Sequence, residues 1–239
     1  SVLIVSILAL LFLLIEVKNV RRRMAYLFPL LSTPCVITIG RQLGSGGRQI
    51  GRLIADRLEI DYFDKEILDL AARESGFRPE IFEESDEKNG FLRSIFGNII
   101  PFFGSPSEKI YPDALSRENL FRLQTDAIRK AAGERSAVFI GRCADYVLRE
   151  HPRCLNVFLT ANMEDRIAQV MRREGIDRAA AERRIESGDR QRAAFYNFYS
   201  SGTWGAAATY DLCVNSSRLG IEATAELIIG FARKRLGTL

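Results

Sequence analysis

The chain has 239 residues, of which 47% are hydrophobic, 10% aromatic and 27% charged, with a mean hydropathy of -0.04. That composition supports one globular core and excludes both a disordered chain and a multi-span membrane protein. The net charge is +4, and 28 of the 34 basic residues are arginine, whose planar fork suits anionic substrates unless it reflects only a general bias for Arg over Lys.

Cys35, Cys143, Cys154 and Cys213 form no CxxC pair, and His151 is the only histidine. A disulfide scaffold or a Cys/His zinc site is therefore not expected, and a reducing, cytoplasmic compartment is. Basic residues alternate with acids instead of forming one patch, so nucleic acid is not expected as a partner.

In chain order, Val2 to Ile15 is apolar apart from Ser6 and is followed by Arg21, Arg22 and Arg23. As a helix it would span about 21 Å, short of the ~30 Å hydrocarbon core. Residues 1–23 read either as a short membrane anchor, with contact through residues 2–15 and its basic end in the cytosol, or as a stretch ahead of a natural start at Met24. The run from Cys35 to Gly40 predicts a buried strand, and Arg48 to Leu58 predicts a helix with Ile50, Leu53, Ile54 and Leu58 on one face. Asp61 to Asp64 predicts a second strand and Lys65 to about Ser75 a helix.

Between residues 78 and 112 glycines and prolines interrupt an unusually apolar stretch that includes Phe91, Phe96, Phe102 and Phe103. A lid, a dimer contact and a membrane-touching hairpin all fit; a packed insertion is favoured, because apolar loop residues more often fold back than bind. A helix is expected from about Asp113 to Ala132. It is followed by a strand Ala137–Ile140, a short helix around Cys143–Arg149, a strand Leu155–Leu159 and a helix Met163–Glu174. Helical sequence covers Arg178–Tyr199, a strand Leu212–Asn215 follows, and a helix Ile221–Arg235 closes the pattern. Strands alternating with helices predict one α/β domain over about 34–239, its parallel sheet covered on both faces.

Ligands bind such sheets beyond the carboxyl ends of the strands. There the first strand runs into Gly44, Ser45, Gly46 and Gly47, a turn that lets successive N–H groups converge beside a helix N-terminus and hold a phosphate. The fit to GxxxxGK[ST] is imperfect. Ended at Gly46, the pattern puts Arg41 at the first glycine and Gly47 at the lysine. Ended at Gly47, it makes Arg48 the cation and puts Gln49 where a hydroxyl would hold magnesium.

The segments ITIGRQLGSGGRQIGRLIADRL, DYFDKEIL, IGRCADYVL, GDRQRAAFYNFYSSGTWG and YDLCVNSSRLGIE follow in this order over most of residues 36–222. Together they resemble the cytidylate kinase-like family, a nucleoside monophosphate kinase branch of the P-loop kinases. The resemblance implies a five-stranded parallel sheet with helices on both faces, a helical lid (about 178–204), and phosphoryl transfer from ATP to CMP or dCMP with Mg2+. It assigns the ATP phosphates to Gly44, Ser45, Gly46, Gly47, Arg48 and Gln49. Arg117 and Arg142 correspond to arginines that hold the acceptor phosphate. Asp189 and Arg192 match a lid pair that contacts ribose and phosphate. Arg190 and Arg192 are expected to stabilise the transition state, and Asp64 to meet the acceptor or a magnesium-bound water.

Asp189 and Arg192, at i,i+3, share a helix face whatever the family, which also fits a simple intrahelical ion pair. Phe195, Tyr196, Phe198, Tyr199 and Trp204 read first as lid packing. Three departures stand out: Cys143 replaces the aspartate of a Gly-Arg-Asp segment, Ile140 replaces an acid before it, and the loop lysine is missing. They leave base preference and metal ligands open. They also admit a nucleotide-binding regulator of the same fold, or a kinase for another small metabolite.

Overall fold

A computed structural model describes residues 33–64 and 117–237. Residues 1–23, the helix expected after Lys65 and the insertion at about 78–112 lie outside the described residues. No helix among the described residues is long and apolar enough to cross a membrane.

Five strands form one sheet: β1 (Val36–Arg41), β2 (Asp61–Phe63), β3 (Ala137–Ile140), β4 (Cys154–Thr160) and β5 (Leu212–Asn215). Their order is β2-β3-β1-β4-β5, and every pairing is parallel. The β1–β4 register runs from Val36 opposite Cys154 to Arg41 opposite Leu159, so β1 lies at the centre and its carboxyl end opens into the glycine turn. The helices are α1 (Gly47–Leu58), α2 (Arg117–Glu134), α3 (Ala144–Val147), α4 (Met163–Glu174), α5 (Arg178–Tyr199) and α6 (Gly220–Leu236).

Side-chain alternation along the strands sorts the core into two layers. Ile37, Ile39, Val138 and Ile140 pack with Ile50 and Ile54 of α1 and Ile228 and Ile229 of α6. Val36, Phe63 and Phe139 face Ala127, Ile128 and Ala131 of α2, with Ala144 and Val147 of α3. Each fully buried Ile or Phe is worth roughly 1.5–3 kcal/mol relative to exposure, so this double layer dominates the fold's stability. A third cluster joins Leu43 of the glycine turn to Ile167 and Val170 of α4 and Ala181 and Ile185 of α5. That cluster anchors the turn to the two helices.

At the amino end of the strands, buried Arg153 supplements the Gly237 C-cap of α6. Its Nε and Nη2 donate to the Leu236 carbonyl at 3.2 and 3.0 Å, and its Nη1 donates to the Thr33 carbonyl at 2.6 Å. The cation thereby satisfies a helix carbonyl where the macrodipole is negative. Arg153→Met is expected to cost about 2 kcal/mol, because both buried carbonyls lose charged donors; a urea midpoint indistinguishable from the parent protein would contradict this role.

Candidate active site

The glycine turn is shaped by two left-handed residues, Gly44 at φ 84° and Gly46 at φ 74°. Neither position has room for a side chain. A Cβ on Gly44 would come within 2.8 Å of the Arg166 carbonyl, and one on Gly46 within 2.4 Å of Ile221 Cδ1. Gly46 also serves as the N-cap of α1, with no side-chain cap hydrogen bond.

Both backbone polar groups of Leu43 are held from outside the turn. Its N–H donates to Asp189 Oδ1 at 2.8 Å, and its carbonyl accepts from Arg166 Nε at 2.7 Å. Arg166 is 4% exposed, and its Nη2 pairs with Asp189. Ser45 Oγ donates back to the Gln42 carbonyl at 2.9 Å, while Ser216 Oγ donates to the Ser45 carbonyl at 2.8 Å. With the loop's carbonyls occupied in this way, the N–H groups of Gly44, Gly46 and Gly47 make no hydrogen bond among the described residues. They lie at the N-terminus of α1, where the helix dipole is positive.

Next to the loop lies a cavity of about 910 Å³ at the carboxyl edge of the sheet. Its floor is Gly40, Arg41 and the β3–α3 turn, and its far wall is one face of α5. The turn is unusual, because Gly141, Arg142 and Cys143 all have positive φ, at 73°, 57° and 55°. Two successive non-glycine residues in that region carry strain, on the order of 1 kcal/mol each. The bend brings Arg142 to the cavity, where its guanidinium lies 5.1 Å from the Phe195 ring centre.

Of the five arginines that line this cavity, Arg48, Arg142 and Arg192 crowd Arg41. Arg192 bonds Asp189 at 3.3 Å, and burial still lowers its pKa, with Asp189 opposing the shift. Arg184 also lines the space and donates to Glu174 at 3.3 Å. Among the acids, Asp145 lines the cavity; burial raises its pKa, and a 2.5 Å hydrogen bond from the Tyr196 hydroxyl opposes that shift. The Cys143 thiol is pushed up to about 12 by burial, so it brings no negative charge to the position of the expected aspartate.

Several residues proposed from sequence meet here and others do not. Arg48, Arg142 and Arg192 line the cavity, and Gly44 to Gly47 form the adjoining loop. Arg190 does not reach it: two positions along the helix from Arg192, it is rotated about 200° and pairs with Glu186 in solvent. Asp189 faces Leu43 and Arg166 and does not line the cavity, so its carboxylate is engaged by the loop. Gln49 is exposed and accepts from Gln169 Nε2 at 3.0 Å. Asp64 follows β2 and is likewise not part of the lining. Arg117 opens α2, but its side chain lies outside the described residues.

The expected aromatic packing is present. Phe121 stacks on Tyr199 with ring centres 3.9 Å apart and meets Phe195 edge-on, while Trp204 meets Phe158 edge-on. Sequence reading missed Arg166, Asp145 and any role for Arg41 beyond its place in the loop pattern. Among the described residues no three His, Cys, Asp or Glu gather where they could hold a metal ion. Ser45 Oγ donates to the Gln42 carbonyl and keeps its lone pairs, and the Gln49 side-chain oxygen accepts one bond from Gln169.

Asp189→Asn keeps an acceptor for the Leu43 N–H but leaves buried Arg166 without its counter-charge. A stability loss of about 3 kcal/mol is expected in urea denaturation. A loss below about 0.5 kcal/mol, the scale of an exposed ion pair, would show that the clamp does not hold the loop.

The crystal structure of an uncharacterized protein from Eubacterium ventriosum is similar at TM-score 0.64 and 26% identity, covering 84% of this chain and 99% of that one. Shikimate kinase from Bacteroides thetaiotaomicron aligns at TM-score 0.46 and 14% identity, over 82% of this chain and 97% of that one. A gluconokinase from Sinorhizobium meliloti aligns at TM-score 0.45 and 15% identity, over 85% and 94%. No curated protein sequence matches. The family model described as the cytidylate kinase-like family matches residues 36–218, the span that contains the sheet, the glycine turn and the arginine-lined cavity, and the chain belongs to that family.

Proposed function

We propose that the protein transfers a phosphoryl group from ATP to a nucleoside monophosphate, CMP or dCMP. The observation that carries this reading is the clustering of Arg41, Arg48, Arg142 and Arg192 beside a loop whose Gly44, Gly46 and Gly47 amides make no hydrogen bond among the described residues. Phosphoryl transfer asks little covalent chemistry of a protein; it asks for alignment and for neutralisation of the equatorial oxygens. A cavity lined by cations beside a phosphate-sized loop can supply both.

In this reading the loop amides and Arg48 take the donor's β- and γ-phosphates. Arg142, aimed inward by its left-handed backbone, holds the acceptor phosphate, with Arg117 as the second expected contact. Arg192 neutralises charge that builds between donor and acceptor. Asp189 acts through the loop it clamps, and Arg190 has no direct part. The acceptor's base and sugar are assigned to the space between the Phe195 and Tyr199 wall and the Asp145–Tyr196 pair. With a neutral thiol at residue 143, the polar group there is Asp145. Mg2+ would travel with the nucleotide's phosphates, as it commonly does in kinases, and no step is assigned to it.

A nucleotide-binding regulator remains the competing reading, because Gly47 stands at the lysine position and the Gln49 amide bonds Gln169. A coupled assay with ATP, Mg2+ and a panel of nucleoside monophosphates separates the two. Turnover with CMP and dCMP above the other acceptors is expected, whereas ATP binding without turnover of any acceptor would favour the regulator. Turnover of a different phosphorylated or hydroxylated metabolite alone would make it a kinase of another class. Within the kinase reading, Arg142→Ala is expected to lower kcat by roughly 10²–10³-fold, the scale of a lost preorganised charge contact. Its ATP affinity should stay near that of the parent protein, and equal kcat would refute the assignment.

A further inference from the structure

The loop carries a reciprocal exchange. With the pattern GxxxxGK ended at Gly46, the lysine position holds Gly47, and the first glycine position holds Arg41. In space the two are in contact. A Cβ on Gly47 would lie 2.8 Å from Arg41 Cγ and 2.9 Å from Arg41 Cβ, so the arginine stem runs through the volume that a residue-47 side chain would fill. At its other end a Cβ on Gly141 would run into Arg41 Nη1. The side chain is threaded between two glycines, and its guanidinium ends in the cavity floor.

We propose that Arg41 is the phosphate-binding cation of this loop, delivered from the end of β1 to the place a lysine at position 47 would serve. This rests on the phosphoryl-transfer reading and names the residue that makes it workable without a loop lysine. Three observations support it. Arg41 forms no ion pair with a carboxylate among the described residues. Its charged neighbours are Arg192, Arg48 and Arg142, all cationic, and burial together with those charges presses its pKa down to about 9. At neutral pH it is still protonated, so a partly buried cation sits beside three other guanidinium groups, an arrangement that a polyanion would relieve. Arg48, one residue past the lysine position, is exposed and lines the outer part of the same cavity. The planar fork of Arg41 can grip two phosphate oxygens at once, which a lysine cannot.

The test is calorimetric titration of the full chain with ATP and with inorganic tripolyphosphate, alongside thermal melting without ligand. Arg41→Met keeps the stem and removes the charge. It is expected to weaken both ligands by roughly tenfold to a hundredfold, the range of a lost charge-assisted contact. Its unliganded melting temperature should not fall, because a cation crowded by Arg192, Arg48 and Arg142 has gone. Gly47→Ala leaves every charge in place but displaces the Arg41 stem, and should also weaken binding. Arg41→Gly should bind weakly, and Arg41→Gly combined with Gly47→Lys should regain most of the lost affinity, an outcome that a merely structural role would not produce.

Binding by Arg41→Met at parent strength overturns the proposal, as does a double variant no tighter than Arg41→Gly. Should the Arg41 variants fail to fold by circular dichroism, Gly47→Ala decides, and parent affinity there overturns the proposal. If the parent protein binds neither ligand, the phosphoryl-transfer reading falls and this proposal with it. If the parent binds and only the Arg41 expectations fail, the broader reading stands and this assignment alone is lost.

Discussion

The glycine turn keeps its shape because one buried ion pair satisfies both backbone polar groups of Leu43. Arg166 of α4 donates to the residue's carbonyl, Asp189 of α5 accepts from its N–H, and the two side chains pair with each other. The Leu43 side chain adds an apolar anchor between Ile167 and Ile185. Glycines at 44 and 46 permit the loop's path, but permission is not order, since glycine loses more freedom on folding than any other residue. The clamp and the Ser216–Ser45 bond supply the order, so the loop amides are pre-arranged before any anion arrives. Buried ion pairs are poor stabilisers in net terms, because desolvation offsets the attraction. Here the pair's value lies in geometry: it fixes which way the residue 43 backbone faces, and through it the amides that follow.

That order is set against an electrostatic cost in the neighbouring cavity. Arg41, Arg48, Arg142 and Arg192 line it, and Arg41 and Arg192 both have pKa values lowered first by burial. Asp145, the acid in the lining, is itself raised by burial and is hydrogen-bonded by Tyr196. The cavity therefore gathers cationic side chains inside a fold whose stability comes from the two layers around the sheet. A polyanion that enters relieves repulsion among the cations as well as making new contacts. Its binding should thus also stabilise the fold, in proportion to ligand concentration over its dissociation constant.

The sheet was legible because its strands are short, β-branched and bounded by turn residues; β1, β3 and β5 lie within a residue of their expected ends, while β4 extends one residue further at each end. The helix Arg178–Tyr199 agrees at both ends, its N-terminus fixed by Asp177, whose carboxylate accepts from the Ala180 N–H. Within the site, legibility stopped where contacts became distant in sequence. The Asp189 and Arg192 pair was visible from i,i+3 spacing, and the two do bond. Nothing local, however, connects Asp189 to an N–H 146 residues away, so its carboxylate was read as facing a sugar. Arg190 does not join the cavity for a related reason: two residues from Arg192 along a helix put it on the opposite face. The strained pair at residues 142 and 143 left no trace at all, because neither is a residue type that favours a left-handed backbone.

One helix connects the two halves of the proposed chemistry. On α5 the residues Arg184, Gly188, Arg192, Phe195 and Tyr199 recur at intervals of three or four and face the cavity. Asp189, one position round from Gly188, leaves that face and reaches the glycine turn. Gly188 marks the closest approach of the two, since a Cβ there would lie 2.9 Å from Leu43 Cδ2. Asp189 thus joins the helix that carries Arg192 to the Leu43 N–H and Arg166, so in the proposed reading the wall on the acceptor side and the loop on the donor side share one helix.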